Sequence, residues 1–175
     1  MSTTNNLDFN QLLTPRIRDL YAIMDETRKR LFEQIEGISQ EQLEFTPSER
    51  KIETIGTLLF HILAVEYSWI YKDIFKEEMD YEEYKYAFAL REDLHPPQLT
   101  GKPLSFYVDK MNSLRNRVFS TLKTWKNEDL DREVTSGKNT FTIYWILYHV
   151  NYHESIHIGQ INFLKRLYKI QKDDK

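Results

Sequence analysis

The feature that most constrains this sequence is a narrow apolar stripe after Pro103, in which Leu104, Tyr107, Val108, Met111, Leu114, Val118, Leu122 and Trp125 recur at near-heptad spacing. A stripe of that width covers one side of a helix and has to be buried against other helices, so it specifies a bundle seam. Three further segments carry the same period. Thr14-Pro15 supplies an N-cap with proline in the first turn, and Ile17, Leu20, Tyr21, Met24, Leu31 and Ile35 follow until Gly37 stops the helix. Thr54 can cap a second helix, whose stripe runs Ile55, Leu58, Leu59, Ile62, Val65, Trp69 and Ile70. A last helix is predicted from about Thr142 to Tyr168. With 5 Gly and 5 Pro among 175 residues, a protein of many short strands and turns is disfavoured. The expected fold is all-α: one domain over residues 1–175, an up-and-down four-helix bundle with a long loop between helices two and three.

Between the helices the periodicity breaks. From Lys76 to Lys102 an acidic, aromatic stretch closed by Pro96-Pro97 and Gly101 reads as a long crossing loop with room for one short helix, and loops of that length are often functional. Thr46-Pro47-Ser48-Glu49 matches a capping box and predicts one helical turn. The polar passage around residues 126–140 reads as a loop or a small hairpin. A faint repeat, Thr54-Ile55 through His61 against Thr142-Ile143 through His149, is what two capped amphipathic helices share.

Composition removes several function classes. Net charge is -3, from 24 basic and 27 acidic residues, so there is no field to draw in a phosphate backbone or an anionic membrane surface. The absence of cysteine excludes disulfides, thiolate metal sites and a cysteine nucleophile, and fits a reducing compartment. The N-terminal stretch lacks the pattern of a secretory signal, and no apolar run reaches membrane-spanning length. A cytoplasmic protein without nucleic-acid or membrane partners is expected. No phosphate-binding glycine loop, serine nucleophile elbow or other cofactor motif is present.

The histidines carry the chemistry. His149, His153 and His157 follow one another at intervals of four on the last helix, each step turning the helix by only about 40°, so the three imidazoles share a face. Ile146, Val150, Ile161, Leu164 and Tyr168 share or flank that face, which turns it toward the bundle interior. Buried imidazoles need partners, and a metal ion satisfies two or three at once. Two histidines four apart can reach one ion, but a tetrahedral site wants a ligand from elsewhere. His61, between Leu58 and Val65 on the second helix, is the candidate. Three histidines without cysteine leave a coordination position open, the form of a catalytic site. The competing reading is a row of packed, hydrogen-bonded histidines. His95, before Pro96-Pro97, reads as an exposed loop residue. Glu154 is expected in a solvated surface role and Gln160 in a hydrogen bond within the bundle. The row Tyr144, Tyr148, Tyr152 reads as packing, and the aromatic face of Tyr67 and Tyr71 fits either a partner subunit or cover for the long loop.

The stretch from Leu147 to Ile161, with His153-Glu154-Ser155-Ile156-His157-Ile158-Gly159-Gln160 at its centre, resembles the last-helix signature of the DinB/YfiT-like family. Thr54-Ile55-Gly56 through His61 is similar to that family's second-helix motif. The resemblance implies a four-helix bundle, often a homodimer, with a divalent metal ion held by His61, His153 and His157, and His149 one turn away beside the site. Many relatives carry arginine where this chain has Ile158, so no role of that arginine transfers. Some relatives are thiol S-transferases that use bacillithiol or mycothiol, which implies a small-molecule substrate, a low-molecular-weight thiol, and a detoxifying or stress-linked role. A metal-activated water would instead give a hydrolase. The alternative is a non-catalytic metal-binding homodimer with a structural or regulatory role. Zinc or nickel suits three neutral imidazoles first, with iron, copper or manganese also open.

Overall fold

The computed structural model describes residues 11–47, 52–88 and 97–173. Four helices are long: α1 (Pro15–Ile35), α3 (Ile55–Glu66), α5 (Leu104–Leu122) and α6 (Ile143–Asp173). Between them lie two single turns, α2 (Gln40–Leu43) and α4 (Lys85–Phe88). The strands β1 (Glu133–Ser136) and β2 (Asn139–Thr142) form a small hairpin. This is the all-α bundle that the stripes require.

The helix ends follow local chemistry. Ser48 and Glu49 of the expected capping box lie outside the described residues, as does His95. A capping box is present earlier, where the Gln42 amide N–H donates to Ser39 Oγ at 3.2 Å and the Ser39 N–H donates to Gln42 Oε1 at 3.0 Å. Thr54 caps α3 by accepting from the Thr57 N–H at 3.1 Å, and Thr142 accepts from the Trp145 N–H at 3.2 Å at the start of α6. The hairpin pairs Val134 with Phe141 and turns at Gly137, whose φ of +61° is a left-handed conformation that glycine adopts without a Cβ clash. The third long helix stops at Leu122, short of Trp125, and the last helix continues past Tyr168 to Asp173.

The second long helix outruns its stripe. Beyond Glu66 the backbone widens into a π-helical segment, Tyr67–Ile74, with the Phe75 N–H donating to the Ile70 carbonyl at 2.9 Å. The segment carries Trp69 against Phe141 and Trp145, with ring centroids 5.2 and 5.7 Å apart.

Contacts between helices fix their directions. Arg16 lies over the Tyr144 ring and Lys165 donates to the Gln34 carbonyl, so α1 and α6 run the same way. Gly56 meets Tyr107 and Glu66 meets Arg115, so α3 and α5 run together, opposite to the other pair. Parallel neighbours need a connection that travels the length of the bundle, which is what the long loop between α3 and α5 does. Tyr67 packs on that loop, its hydroxyl donating to the Glu78 carbonyl at 3.2 Å and its ring stacking on Tyr84 at 5.5 Å. Tyr71 instead is buried and donates to the Leu114 carbonyl at 2.6 Å.

At the close contact of α3 with α5, a Cβ added to Gly56 would stand 2.9 Å from the Tyr107 hydroxyl and 3.4 Å from the Leu43 carbonyl oxygen. Tyr107 is itself buried and has little room to swing away. Gly56→Ala is expected to cost about 1–3 kcal/mol through overpacking, read as a lower urea midpoint. An unchanged midpoint would show that the ring moves freely.

The core is divided in two. One apolar cluster gathers Leu31, Leu59, Leu63, Tyr107, Met111 and Ile161, and the other gathers Ile17, Met24, Ile70, Val118, Ile146 and Val150. Between them lies a layer of charge to which each long helix gives one residue: Arg28, Glu66, Arg115 and Glu154, all 4% exposed or less. Arg28 donates from Nε to Glu154 Oε1 at 2.6 Å and from Nη2 to Glu66 Oε2 at 2.5 Å. Arg115 donates from Nε to Glu66 Oε1 at 3.0 Å and from Nη2 to Glu154 Oε2 at 3.2 Å. Their remaining Nη1 groups donate to the Met111 carbonyl at 3.2 Å and the Met24 carbonyl at 2.8 Å. Burial alone would push the Glu66 carboxyl up, but Arg115 and Arg28 outweigh it and hold the group down at about 2. Two positive and two negative groups, each hydrogen-bonded, make a neutral and satisfied layer.

Candidate metal centre

The centre lies beside the charge layer, where α3 faces α6. His61 is carried by α3 six residues from its start, nearly two helical turns in, and is buried, while His153 and His157 stand one turn apart on α6 and are partly exposed. Their spacing on α6 and the antiparallel approach of α3 bring three imidazoles to one point. His153 Nε2 lies 3.1 Å from His61 Nε2 and 3.0 Å from His157 Nε2. One ring nitrogen from each residue falls within 4.8 Å of the others, so the three could hold a metal ion.

The outward nitrogens settle what the inward ones present. His61 Nδ1 lies 2.7 Å from the Ala87 carbonyl oxygen, which only accepts, so that nitrogen carries the proton and Nε2 presents a lone pair. His157 Nδ1 lies 2.5 Å from Gln160 Oε1, a contact that favours the same tautomer. Two lone pairs therefore point at His153 Nε2. A protonated His153 Nε2 can satisfy one of them and not both. A cation at the point of convergence would satisfy all three, and the Ala87 and Gln160 contacts are of the kind that orient a metal-ligating histidine. The residues present fit a divalent ion held by imidazoles, with zinc-like chemistry favoured over the oxygen ligands that magnesium or calcium would take.

Around this centre the expectations divide. Gln160 hydrogen-bonds within the bundle, as expected, and its partner is His157. His149 stands apart from the three, stacked on Trp145 with centroids 4.7 Å apart and rings 7° from parallel, and edge-on to Trp69 at 5.3 Å. Glu154 corrects an expectation: it is 1% exposed and belongs to the ion layer, because the step that turns it off the histidine face turns it toward Arg28 and Arg115 rather than toward solvent. The tyrosine row also differs, since Tyr144, Tyr148 and Tyr152 are about half exposed. The layer itself left a trace in the sequence. Each of its four members occupies a seam position, Arg28 four after Met24, Glu66 four after Ile62, Arg115 four after Met111 and Glu154 four after Val150.

A helical bundle with three histidine nitrogens converging between two of its helices defines a class of candidate metal-binding bundle proteins. Within that class, a family model of the DinB superfamily matches residues 23–161, and this chain belongs to that superfamily. The Bacillus subtilis (strain 168) uncharacterized protein YizA is 32% identical over 122 residues, covering 68% of this chain and 67% of its own. The uncharacterized protein YkkA of the same organism is 21% identical over 165 residues, 94% of each chain. A crystal structure of a Streptococcus pneumoniae protein shares the fold with a TM-score of 0.57, at 14% identity over 89% of this chain and 90% of that one. Among the described residues no helix is long and apolar enough to cross a membrane.

Proposed function

We propose that this protein is a divalent-metal-dependent enzyme that activates a low-molecular-weight thiol, or water, against a small electrophilic substrate, with His61, His153 and His157 as the metal ligands. The observation that carries this reading is the convergence of three Nε2 atoms, two of them on rings whose outer nitrogen meets an acceptor oxygen, on a point whose α6 side is partly open to solvent. Held by His61, His153 and His157 alone, a divalent ion would keep a coordination position open to a substrate. A bound divalent ion would lower the pKa of a thiol or water placed there, supplying the nucleophile near neutral pH. The chain's own part is positional. The Ala87 carbonyl and Gln160 fix the His61 and His157 rings, and the charge layer anchors α6 immediately beside His153. Zinc or nickel is the expected ion, with iron or manganese as further candidates, and a reducing cytoplasm would supply the thiol.

Acid should empty the site. Burial pushes the His157 imidazole below its ordinary value of 6.5, an effect only partly offset by its hydrogen bond to Gln160. The neutral form that binds metal is therefore favoured near neutrality, and the associated stability is present above about 6.5 and lost as pH falls through the lower folded value. Metal-loaded protein titrated from about pH 7.5 to about pH 5 in the presence of an indicator dye is expected to release its ion. Full retention at the acid end would count against imidazole ligation.

The activity is tested by following consumption of a panel of low-molecular-weight thiols with a generic electrophile, using protein loaded in turn with zinc, nickel, iron and manganese. Turnover that requires metal and disappears in His153→Ala supports the transferase. An occupied site with no thiol consumption, while an ester or amide panel is hydrolysed, moves the reaction to water. No turnover of either kind with the site fully occupied leaves the non-catalytic structural or regulatory role.

A further inference from the structure

The turn α4 is too short to hold itself together. It has four residues, Lys85–Phe88, and a single isolated turn of helix is not stable in water. It is fastened instead to α3, at two successive residues of that helix. The Tyr84 ring, just before the turn, stacks on Phe60 with centroids 5.4 Å apart and planes 17° from parallel, and the Ala87 carbonyl oxygen lies 2.7 Å from His61 Nδ1.

Tyr84 is the centre of this attachment. Its buried ring also stacks on Tyr67, at 5.5 Å and 28° from parallel. Phe60 and Tyr67 are seven residues apart, so the Tyr84 ring lies between two rings of one helix face. Its main chain builds the turn, because the Ala87 and Phe88 N–H groups both donate to the Tyr84 carbonyl, at 2.9 and 3.3 Å. The last carbonyls of a helix have no partner within it, and His61 takes the one at Ala87, a residue with no exposed surface. The side chain that holds the turn and the carbonyl that meets the histidine are thus three residues apart on one small unit.

We propose, on the reading above that His61 is a metal ligand and whatever reaction follows, that Tyr84 is a positioning residue for the centre and that α4 and the ion stabilise each other through His61. An ion at His61 Nε2 requires the proton on Nδ1, and the Ala87 carbonyl is the acceptor that selects this tautomer and stops the ring from turning. With the turn open, that acceptor is withdrawn. The closed turn therefore binds the ion more tightly than the open one, and by linkage the bound ion disfavours opening by the same factor. The turn is formed with or without the ion, and what changes on binding is how often it opens. The crossing loop in this way responds to the occupancy of a centre to which α4 contributes no side chain.

Two measurements on the full chain read that one factor. Exchange of the Ala87 and Phe88 amides, followed by NMR with and without saturating zinc, is expected to slow by about 10–100-fold on zinc binding, the range over which outer partners of a ligand histidine act. The amides of the β1–β2 hairpin should keep their rates. Tyr84→Ala is expected to weaken zinc binding by the same factor in competition with a chromophoric chelator, with the helical circular dichroism intact. Tyr84→Phe, which keeps the stacked ring, is expected to bind zinc as the parent does. Zinc bound by the parent with unchanged exchange at Ala87 and Phe88 would overturn the coupling and leave the three-histidine centre standing. Parent affinity in Tyr84→Ala would do the same, as would an equal loss in Tyr84→Phe, since stacking would then not be what holds the turn. A parent that binds no zinc would remove the centre itself, and the coupling with it.

Discussion

Glu66→Ala is expected to lower the unfolding free energy by about 3–5 kcal/mol, because it removes one carboxylate from between two arginines that stay buried. Arg115 loses two of its three carboxylate contacts and Arg28 one of its three, and neither side chain has a route to solvent. That cost is a large share of the total stability of a domain of this size, about 5–15 kcal/mol. Replacing all four residues by apolar side chains of similar volume is expected to restore stability to within about 1 kcal/mol or to exceed it, since the expense of such a layer lies in desolvation and in broken pairing. The pH dependence has a definite sign. Glu66 is held at about 2 against an ordinary 4.5, so its contribution is complete above pH 4.5 and is lost as pH falls from there toward about 2. Urea unfolding of the single and fourfold variants decides the matter, and a Glu66→Ala protein within about 1 kcal/mol of the parent would mean that the layer is wet or loosely paired.

The second large effect is expected at His153, whose Nε2 stands about 3 Å from each of the other two. His153→Ala should abolish stoichiometric retention of zinc or nickel in competition with a chromophoric chelator. It should also remove the thermal stabilisation by metal, about 2.7 kcal/mol at a hundred times the dissociation constant. Gln160→Ala, which removes only the partner of His157 Nδ1, should weaken binding by about 10–100-fold and leave a measurable site. Equal metal content in His153→Ala and parent protein would eliminate the three-histidine centre and return the row to a packed, hydrogen-bonded cluster.

Much of the architecture was legible because it depends on period. The stripes on α1, α3, α5 and α6 are binary patterns that one-dimensional reading detects, and the passages that form the hairpin and the single turn α4 stand out as breaks in that period. The convergence of His61 with His153 and His157 was legible from spacing and a motif resemblance together. What escaped depends on pairing across helices. Glu154 looks solvated in the sequence because no local signal says that Arg28 and Arg115, more than a hundred and nearly forty residues away in sequence, lie opposite it. The four charges at seam positions were the available clue, and read jointly they would have predicted a buried, charge-balanced layer. The π-helical segment escaped for another reason: its side-chain pattern through Ile70 is that of an α-helix, and only the backbone bonding from Phe75 to Ile70 reveals the wider turn. The tyrosine row looks like packing in the sequence because period alone does not say which side of a helix its neighbours occupy.

The charge layer has a consequence for how the histidine centre would meet an ion. A seam that is apolar throughout lets helices slip by a turn, about 5.4 Å, while exchanging one leucine contact for another. Here a slip of any one long helix would strand a guanidinium or a carboxylate among leucines, so the axial register of all four is set when the chain folds. His153 is covalently next to one member of the layer, and His61 lies five residues before another. The entropy of assembling the three imidazoles is thus lost during folding and not during metal capture. Binding of the ion should then proceed with little change in backbone order, a small heat-capacity change and an association rate close to that of exchanging water on the free ion.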